Sequence, residues 1–370
     1  MLNIQGKLNY GIAIGEQRYP VEPGNVGFIL LNSNVNTFLP TLRLEINDVT
    51  GRMTRDTQLT DGKAINIKLG QGNVKDFIQY RIFNIPIHRE SSTAQYYQIN
   101  GIIDYIDFLR SIAPRVYKGT SSSVLQEIAT TLGMRFEGDE TDDDQAWLPG
   151  NKSYSAFANS IASRGFVDTK SCMVLCVKED GTMLYKNITE LAKKDATAKI
   201  FAGAPTPSQK DKFFAVAYRS QNNSGPMNQL LGYSAKIGQE LLDGTFNEVA
   251  KVTATRFSRS LDINREVKDD IGFVRDELRP IEAGNVHPRF EQAAYQNKRI
   301  KATFGIEVDV MLVQESGIDL LDVVELDLPN RANLTNQKPY KSKYLVTAKA
   351  RVMSGAQYYE KLRLTTTGFS

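Results

Sequence analysis

Residues 41–48 read TLRLEIND, and the alternation of apolar and polar residues in this stretch decides the class of fold. As a strand, the stretch would place its two leucines and its isoleucine on one face. Residues 63–70, KAINIKLG, repeat the pattern after a turn at Asp61 and Gly62. Short alternating strands between Gly, Asp and Asn turns are typical of antiparallel sandwiches and barrels. The sequence therefore predicts a mainly β fold over residues 1–108.

The spacing of apolar residues becomes helical in the middle of the chain. Residues 121–134, SSSVLQEIATTLGM, and residues 153–166, SYSAFANSIASRGF, each predict a helix with serine caps before it and a glycine after it. An Asp180-Gly181 pair between two strand-like runs predicts a hairpin. Together these elements predict a small α+β insert over residues 113–205.

The last part of the chain returns to the β pattern. It follows a stretch rich in Pro and Gly at residues 201–210, which predicts a linker. A second β domain is expected over residues 206–370, with a partly helical excursion at about 256–304. The clearest helix of that excursion is predicted for residues 288–304, where Pro288 would occupy the first turn.

The tetrapeptide AQYY occurs twice, at residues 94–97 and 356–359. The strands that precede each copy follow the same order with similar spacing, which indicates two related β domains. We expect residues 42–108 to superimpose on residues 306–366, with Tyr96 and Tyr97 near Tyr358 and Tyr359. In the same comparison three apolar residues of the first domain have counterparts in the second: Ile65, Ile67 and Leu69 correspond to Val324, Leu326 and Leu328.

Composition and charge exclude several classes of protein. The 45 Lys and Arg residues nearly balance the 42 Asp and Glu residues, and a net charge of +3 argues against a dedicated nucleic-acid binder.

Cys172 and Cys176 would lie on one face of a strand roughly 13 Å apart, too far for a mutual disulfide, so we expect two buried thiols. No secretory signal and no membrane-spanning stretch is visible, so synthesis in the cytoplasm is expected.

The most acidic stretch, residues 137–144, carries six carboxylates. Hard cations bind such oxygen clusters, and the weak candidates for metal ligands are Asp139, Asp142, Asp143 and Asp144. The spacing does not fit an EF-hand, and a pair of glycosidase carboxylates would come from separate elements. We therefore expect mainly a solvated loop here, with weak metal binding as the alternative.

No other residue set predicts a catalytic or cofactor site. The two histidines, His88 and His287, have no metal-ligand spacing, and no phosphate-binding glycine motif or nucleophile motif occurs. Two small basic clusters predict solvated faces; their residues are Arg256, Arg259, Lys298, Arg299 and Lys301.

Three stretches resemble baseplate hub proteins of long-tailed bacteriophages. Residues 39–70 are similar to the first β-barrel of these hubs, with an Asp-x-x-Gly turn and a Gly stop. Residues 121–187 are similar to their inserted domain, which has a Ser-capped helix, an acidic loop, a second helix with an Arg-Gly end and an Asp-Gly hairpin in this order. Residues 320–368 are similar to their closing strands.

The resemblance implies two tail-tube-like antiparallel β-barrel domains, one over residues 1–112 and one over residues 206–370. It also implies a homotrimer that joins the sixfold tail tube to the threefold central spike and forms part of the channel for genome delivery. The implied partners are the tail tube or a distal tail protein above, the spike below, other baseplate proteins and a tape-measure protein. The expected location is the virion, and neither an enzyme activity, a cofactor nor sequence-specific nucleic-acid binding is implied.

Two alternatives remain at this point. The chain could be the hub or spike part of a contractile secretion device, which is related to the phage hub. It could also be a cell-wall hydrolase that uses carboxylates of residues 137–144.

Overall fold

A computed structural model describes most of the chain. The described residues are 7–15, 19–35, 37–49, 51, 59–72, 74, 76–90, 94–112, 115–168, 171–202, 213–222, 232–240, 246–254, 274–280, 306–328 and 341–366.

The N-terminal region forms one antiparallel sheet around an apolar core. Its spatial order is β2-β1-β5-β6-β7-β4-β3, and the strands are β1 (Leu8–Ile14), β2 (Tyr19–Pro20), β3 (Val26–Asn34), β4 (Thr37–Asp48), β5 (Ala64–Gln71), β6 (Ile78–Glu90) and β7 (Gln95–Ile103). A 3-10 helix, Pro23–Asn25, precedes β3. The alternating leucines and isoleucine of residues 41–48 are buried, as the sequence predicts.

The insert packs two helices against short strands. Its elements after a 3-10 helix at Ile106–Leu109 are β8 (Tyr117–Gly119), α1 (Ser121–Thr131), β9 (Arg135–Gly138), β10 (Gln145–Trp147), α2 (Tyr154–Ala162), β11 (Met173–Val177), β12 (Thr182–Asn187) and α3 (Ile188–Leu191). The cap of α2 is Ser153, as predicted, but the cap of α1 is Thr120, whose side chain accepts a hydrogen bond from the Ser123 N–H. The predicted serine cap of the first helix is therefore wrong, because Ser121 already lies in the helix.

Strand β11 lies between two apolar clusters. Met173, Leu175 and Val177 belong to the core of the N-terminal sheet and the helices. Cys172, Val174 and Cys176 belong to a smaller cluster that includes residues of the C-terminal domain. Both thiols are fully buried and unbridged, as the sequence predicts.

The C-terminal domain is a closed six-stranded barrel. Its strands are β13 (Ala198–Ala202), β14 (Phe213–Asn222), β18 (Ile306–Leu312), β19 (Val323–Asp327), β20 (Lys341–Ser354) and β21 (Gln357–Thr366), and pairing of β19 with β20 closes the ring. Five strands pair antiparallel with one another, whereas β13 is parallel to both of its neighbours. The apolar interior contains Val324, Leu326 and Leu328, the residues that the sequence places there.

A separate three-stranded sheet lies between β14 and β18 in the chain. Its strands are β15 (Gly232–Glu240), β16 (Phe246–Ala254) and β17 (Val274–Pro280). The described part of the predicted helical excursion at 256–304 is thus a strand, and the predicted helix at 288–304 lies outside the described residues.

The two β domains share one hydrogen-bonded sheet. Residues Ala348–Ser354 of β20 pair antiparallel with Phe28–Asn34 of β3, so that thirteen strands form a continuous sheet. The interval predicted for the insert, 113–205, contains β13, which pairs within the C-terminal barrel.

Five consecutive strands of the barrel repeat five of the N-terminal sheet. In chain order, β3 to β7 correspond to β14, β18, β19, β20 and β21, and both sets have the first, second, fifth, fourth and third strands side by side. Two β-bulges coincide as well. The first strands bulge at Gly27 and Val216, and the fourth strands bulge at Phe83 and Thr347. Shared strand order and shared bulges support the internal repeat, because bulges are specific features of a fold.

The repeated tetrapeptide is one residue out of step with this pairing. Tyr97 pairs with Ile46 on β4, whereas the residue that pairs with the equivalent Leu312 on β18 is Glu360. A second irregularity in the β6–β7 ladder, between Asn84 and Ile87, accompanies the offset. Because side chains alternate between faces, Tyr97 is buried in the first copy and Tyr358, not Tyr359, is buried in the second.

Candidate assembly surfaces

A buried ion pair holds the three parts of the chain together. Arg351 on β20 donates from Nη1 to the Leu69 carbonyl oxygen at the end of β5 (2.5 Å) and from Nη2 to the carboxylate of Glu179 in the insert hairpin. The side chains of Arg351 and Glu179 are 11% and 14% exposed. Both charges are removed from water, so the loss of either partner would leave the other as a buried charge without a counter-ion.

The loop between β18 and β19 adds a second set of links at the same place. Glu315 accepts from the Gln71 N–H (2.9 Å), and Gln71 in turn accepts from the Glu315 N–H (3.0 Å). Asp319 pairs with Lys178 of the insert at 2.7 Å. Leu321 has a φ of 67°, a left-handed conformation that is costly for a bulky residue. Its N–H donates to the Val346 carbonyl oxygen (2.9 Å), which holds the loop on the barrel.

Glu360 is a fully buried carboxylate in the barrel wall. It accepts hydrogen bonds from the Ser316 hydroxyl and backbone N–H, and Lys349 Nζ lies 4.0 Å away. Burial raises the pKa of Glu360 above its ordinary value, although Lys349 and Ser316 oppose the shift. The position corresponds to Tyr97 in the first copy, where an aromatic ring fills the same place.

An apolar groove of about 540 Å³ lies on the outer face of the N-terminal sheet. The Phe83 side chain, at the β6 bulge, is 62% exposed, and Leu109 is 47% exposed. Arg43 forms the polar rim, where its guanidinium contacts Glu45 at 2.8 Å. Leu30, Ile102 and Asn159 of α2 also line the groove.

A second groove of about 530 Å³ lies on the outer face of the barrel. It is more polar, because Arg363 pairs with Asp309 at 2.9 Å and Lys361 lies beside them. Both grooves are built from the first, second, fourth and fifth strands of their own repeat, and Asn32 of β3 lines both. The repeat therefore gives one chain two similarly placed grooves of different chemistry.

The acidic stretch at 137–144 has a structural role that the sequence did not predict. Asp143 is fully buried, and its carboxylate accepts from the backbone N–H of Ser121 at 2.7 Å and of Phe166 at 2.9 Å. The expectation of a solvated loop is wrong for this residue, because α1 and the segment after α2 close over it. Asp142 and Asp144 are exposed, as expected.

Asp139 also binds the fold itself. Its carboxylate accepts from the Asn187 N–H (2.8 Å) and from Lys186 Nζ (3.2 Å). Within the described residues no group of three or more His, Cys, Asp or Glu side chains could hold a metal ion. The structure thus does not bring the four candidate aspartates together as a ligand set.

The remaining candidate residues also have structural surroundings. Burial raises the pKa of Cys176 to about 12, which keeps this thiol protonated. The His88 ring stacks on Tyr97 with centroids 4.6 Å apart. His287 and the two basic clusters lie outside the described residues. Among the helices of the described part, none is long and apolar enough to cross a membrane.

Sequence reasoning missed the buried ion pair of Arg351 and Glu179. Arg351 and Glu179 lie far apart in the chain, and each occurs in a stretch that is ordinary for an exposed strand or turn. The alternation in β20 gave no signal either, because Arg351 shares its face of the strand with Thr347 and Lys349, a polar pattern typical of an exposed face.

Comparison with known proteins identifies the fold. No family model and no curated protein matches the chain. A tail protein from Neisseria meningitidis MC58 matches over 98% of both chains with a TM-score of 0.62 and 9% identity. The 43 kDa tail protein of prophage MuSo2 from Shewanella oneidensis matches over 98% of this chain and 99% of its own, with a TM-score of 0.63 and 9% identity. A chain of the Francisella PdpA-VgrG complex (half-lidded) has a TM-score of 0.54 and 10% identity over 99% of this chain and 59% of that one. The chain thus has a tail-protein fold, which confirms the predicted fold class.

Proposed function

We propose that this protein is a structural hub of a phage tail baseplate. Its role is to join the sixfold tail tube to a threefold central spike and to line part of the channel for genome delivery. The tail-protein fold over the full length of two tail proteins supports this role. The observation that carries it is the five-strand repeat, because a trimer of a doubled domain presents six similar surfaces.

The two outer grooves suit such an adapter. They occupy equivalent places in the repeat but differ in polarity, so that three apolar and three charged grooves would alternate around a trimer. Each would face a chemically identical subunit of a sixfold ring. The partners would be the tube or a distal tail protein on one side, the spike on the other, and other baseplate proteins or the tape-measure protein around the channel.

The mass of the protein in solution tests the proposal. We expect three times the chain mass of 41.4 kDa, and negative-stain images of rings with threefold symmetry. Mixing with tail-tube subunits should give rings capped by hub trimers. A monomer that stays monomeric at every concentration, with the spike and tube proteins both present, would contradict the proposal.

A groove variant tests the use of the apolar surface. Phe83→Asp should leave the fold intact, because the side chain is 62% exposed, and should weaken capping of tube rings at least tenfold. Val49→Asp is the matched control, since Val49 is 57% exposed and lies outside the groove. Equal capping by both variants would exclude the apolar groove as the contact.

The second candidate is the hub part of a contractile secretion spike. The likeness to a chain of the PdpA-VgrG complex favours it, and this chain spans about three fifths of that longer one. The two candidates differ in the neighbour that the trimer carries. Co-purification with a tail-tube protein and a separate spike supports the baseplate hub, whereas co-purification with a secretion needle and effector supports the second candidate.

A further inference from the structure

We propose that strand β6 of one copy pairs antiparallel with strand β14 of the next copy, which repeats between chains the contact that β20 and β3 make within a chain. The inference rests on the proposed ring-forming function and specifies its interface. The surface is the edge of a strand, and the partner is a second copy of this protein.

The internal contact supplies the template. The C-terminal half of β20 lies on β3, with Arg351 opposite Leu31 and Val352 opposite Leu30. In the repeat, β20 is the fourth strand of the second copy and β3 is the first strand of the first copy. The contact is therefore a junction between a fourth strand and a first strand.

Among the residues that the structure describes, one fourth strand and one first strand lack this contact. Within the described residues, β6 pairs with β5 only through Ala64–Ile67, and its C-terminal half has β7 on one side and no strand on the other. Likewise β14 pairs with β13 only through Phe213–Ala215, and its C-terminal half has β18 alone. These unpaired halves correspond to the halves of β20 and β3 that pair with each other.

Burial at equivalent positions shows what the missing contact would cover. Ile29 and Leu31 of β3 are fully buried, whereas the equivalent Tyr218 of β14 is 39% exposed and Ser220 is also exposed. On the fourth strands, Val352 and Met353 of β20 are buried, whereas the equivalent His88 and Arg89 of β6 are exposed. The same strands are thus covered where the two repeats meet and open at the two free ends.

The geometry favours a closed head-to-tail assembly. Six strands separate β6 from β14 in the continuous sheet, so the two open halves flank the run of strands that contains the β20–β3 contact. Such a heterologous contact generates a ring when the rotation closes. Pro86 of β6 lies between Asn84 and Ile87, where the ladder with β7 is interrupted, and the proposed contact requires its missing N–H to face β7 and not the open edge.

The template fixes the register. Arg351 corresponds to Ile87 and Leu31 corresponds to Ser220, so Ile87 of one copy should lie opposite Ser220 of the next. Residues directly opposite in antiparallel strands have Cα atoms about 4.5–5.5 Å apart, which is within the range that a disulfide spans. The buried native cysteines remain in place, since neither is accessible.

Cysteine cross-linking of the full chain tests the contact. A mixture of the Ser220→Cys and Ile87→Cys proteins should form a covalent dimer on mild oxidation, and the chain that carries both changes should form covalent trimers. The control is a mixture of Lys118→Cys and Ile87→Cys, because Lys118 is exposed on the insert; it should give at least tenfold less dimer.

The outcomes separate this inference from the proposed function. A trimer mass without the Ser220–Ile87 cross-link would overturn the strand pairing and leave the hub proposal standing. A protein that is monomeric under every condition would overturn both. A charge test guards against misfolded variants: Ser220→Glu with Ile87→Glu should abolish trimers, and Ser220→Glu with Ile87→Lys should restore them; equal trimer formation by both pairs would also overturn the pairing.

Discussion

The carboxylate of Asp143 joins two segments of the insert through their backbone N–H groups. One oxygen accepts from Ser121 at the start of α1, and the other accepts from Phe166 after α2. The sequence showed only a cluster of acids at 137–144, and charge alone could not distinguish the one aspartate that turns inward. The distinction depends on where α1 and the segment after α2 meet, which is a tertiary feature.

Replacement of this aspartate should destabilise the fold. Asp143→Ala leaves two buried N–H groups without a partner, so we expect a loss of about 3 kcal/mol in the free energy of unfolding. Urea unfolding followed by tryptophan fluorescence measures it, since Trp147 is buried nearby in sequence. The exposed neighbour is the control, and Asp144→Ala should change the stability by less than about 0.5 kcal/mol. Equal losses for the two variants would contradict the assigned role.

Glu360 gives a pH dependence with a definite sign. Burial raises the pKa of its carboxyl above the ordinary 4.5, so in the window just above pH 4.5 the folded chain holds a proton that the unfolded chain has lost. Stability must therefore fall as pH rises through that window. Glu360→Gln should flatten this part of the curve of melting temperature against pH. Glu127→Gln, a change at an exposed residue, should keep the wild-type slope.

At the scale of elements, alternation and helical spacing predicted most strands and both long helices. Residues 41–48, the Asp180-Gly181 hairpin and α2 with its Ser153 cap are where the sequence places them. The bulges at Gly27, Phe83, Val216 and Thr347 could not be predicted, because a bulge is defined by the partner strand. The one-residue offset of the AQYY copies could not be predicted for the same reason, because it becomes visible only when the strand partners are known.

The junction of β20 with the insert hairpin should depend on a buried charge pair. Arg351→Met leaves Glu179 as a buried charge without its partner, and we expect a loss of about 3–5 kcal/mol in unfolding free energy. The double variant Arg351→Met with Glu179→Leu should recover most of that loss. Thermal and urea unfolding of the single and double variants measures the coupling.

An exposed ion pair in the same hairpin region is the control. Arg135 contacts Asp180 at 2.6 Å, but the side chains are 69% and 48% exposed. Arg135→Met should therefore cost less than about 1 kcal/mol. A loss as large as that of Arg351→Met would show that the junction has no special role.

At the scale of the whole molecule, the sequence predicted a doubled β domain and the structure shows how the two copies join. The repeat was visible because the inward residues of β5 and β19 keep their alternation. The continuous sheet through β3 and β20 was not predictable, since the residue pattern of neither strand indicates which strand it pairs with. The placement of two grooves on equivalent strands follows from the doubled unit and could be inferred only after the pairing was known.

The connection between the first and second strands of the repeat has two very different lengths. Two residues join β3 to β4, whereas 83 residues, 223–305, join β14 to β18, and the two strand pairs keep the same bulge. Because the cost of loop closure grows only slowly with length, this site tolerates insertion. The segment is in effect an insertion that could be exchanged for another. Lineages of such proteins could vary it, or an engineer could replace it with a foreign domain, without altering a strand of the barrel that carries it.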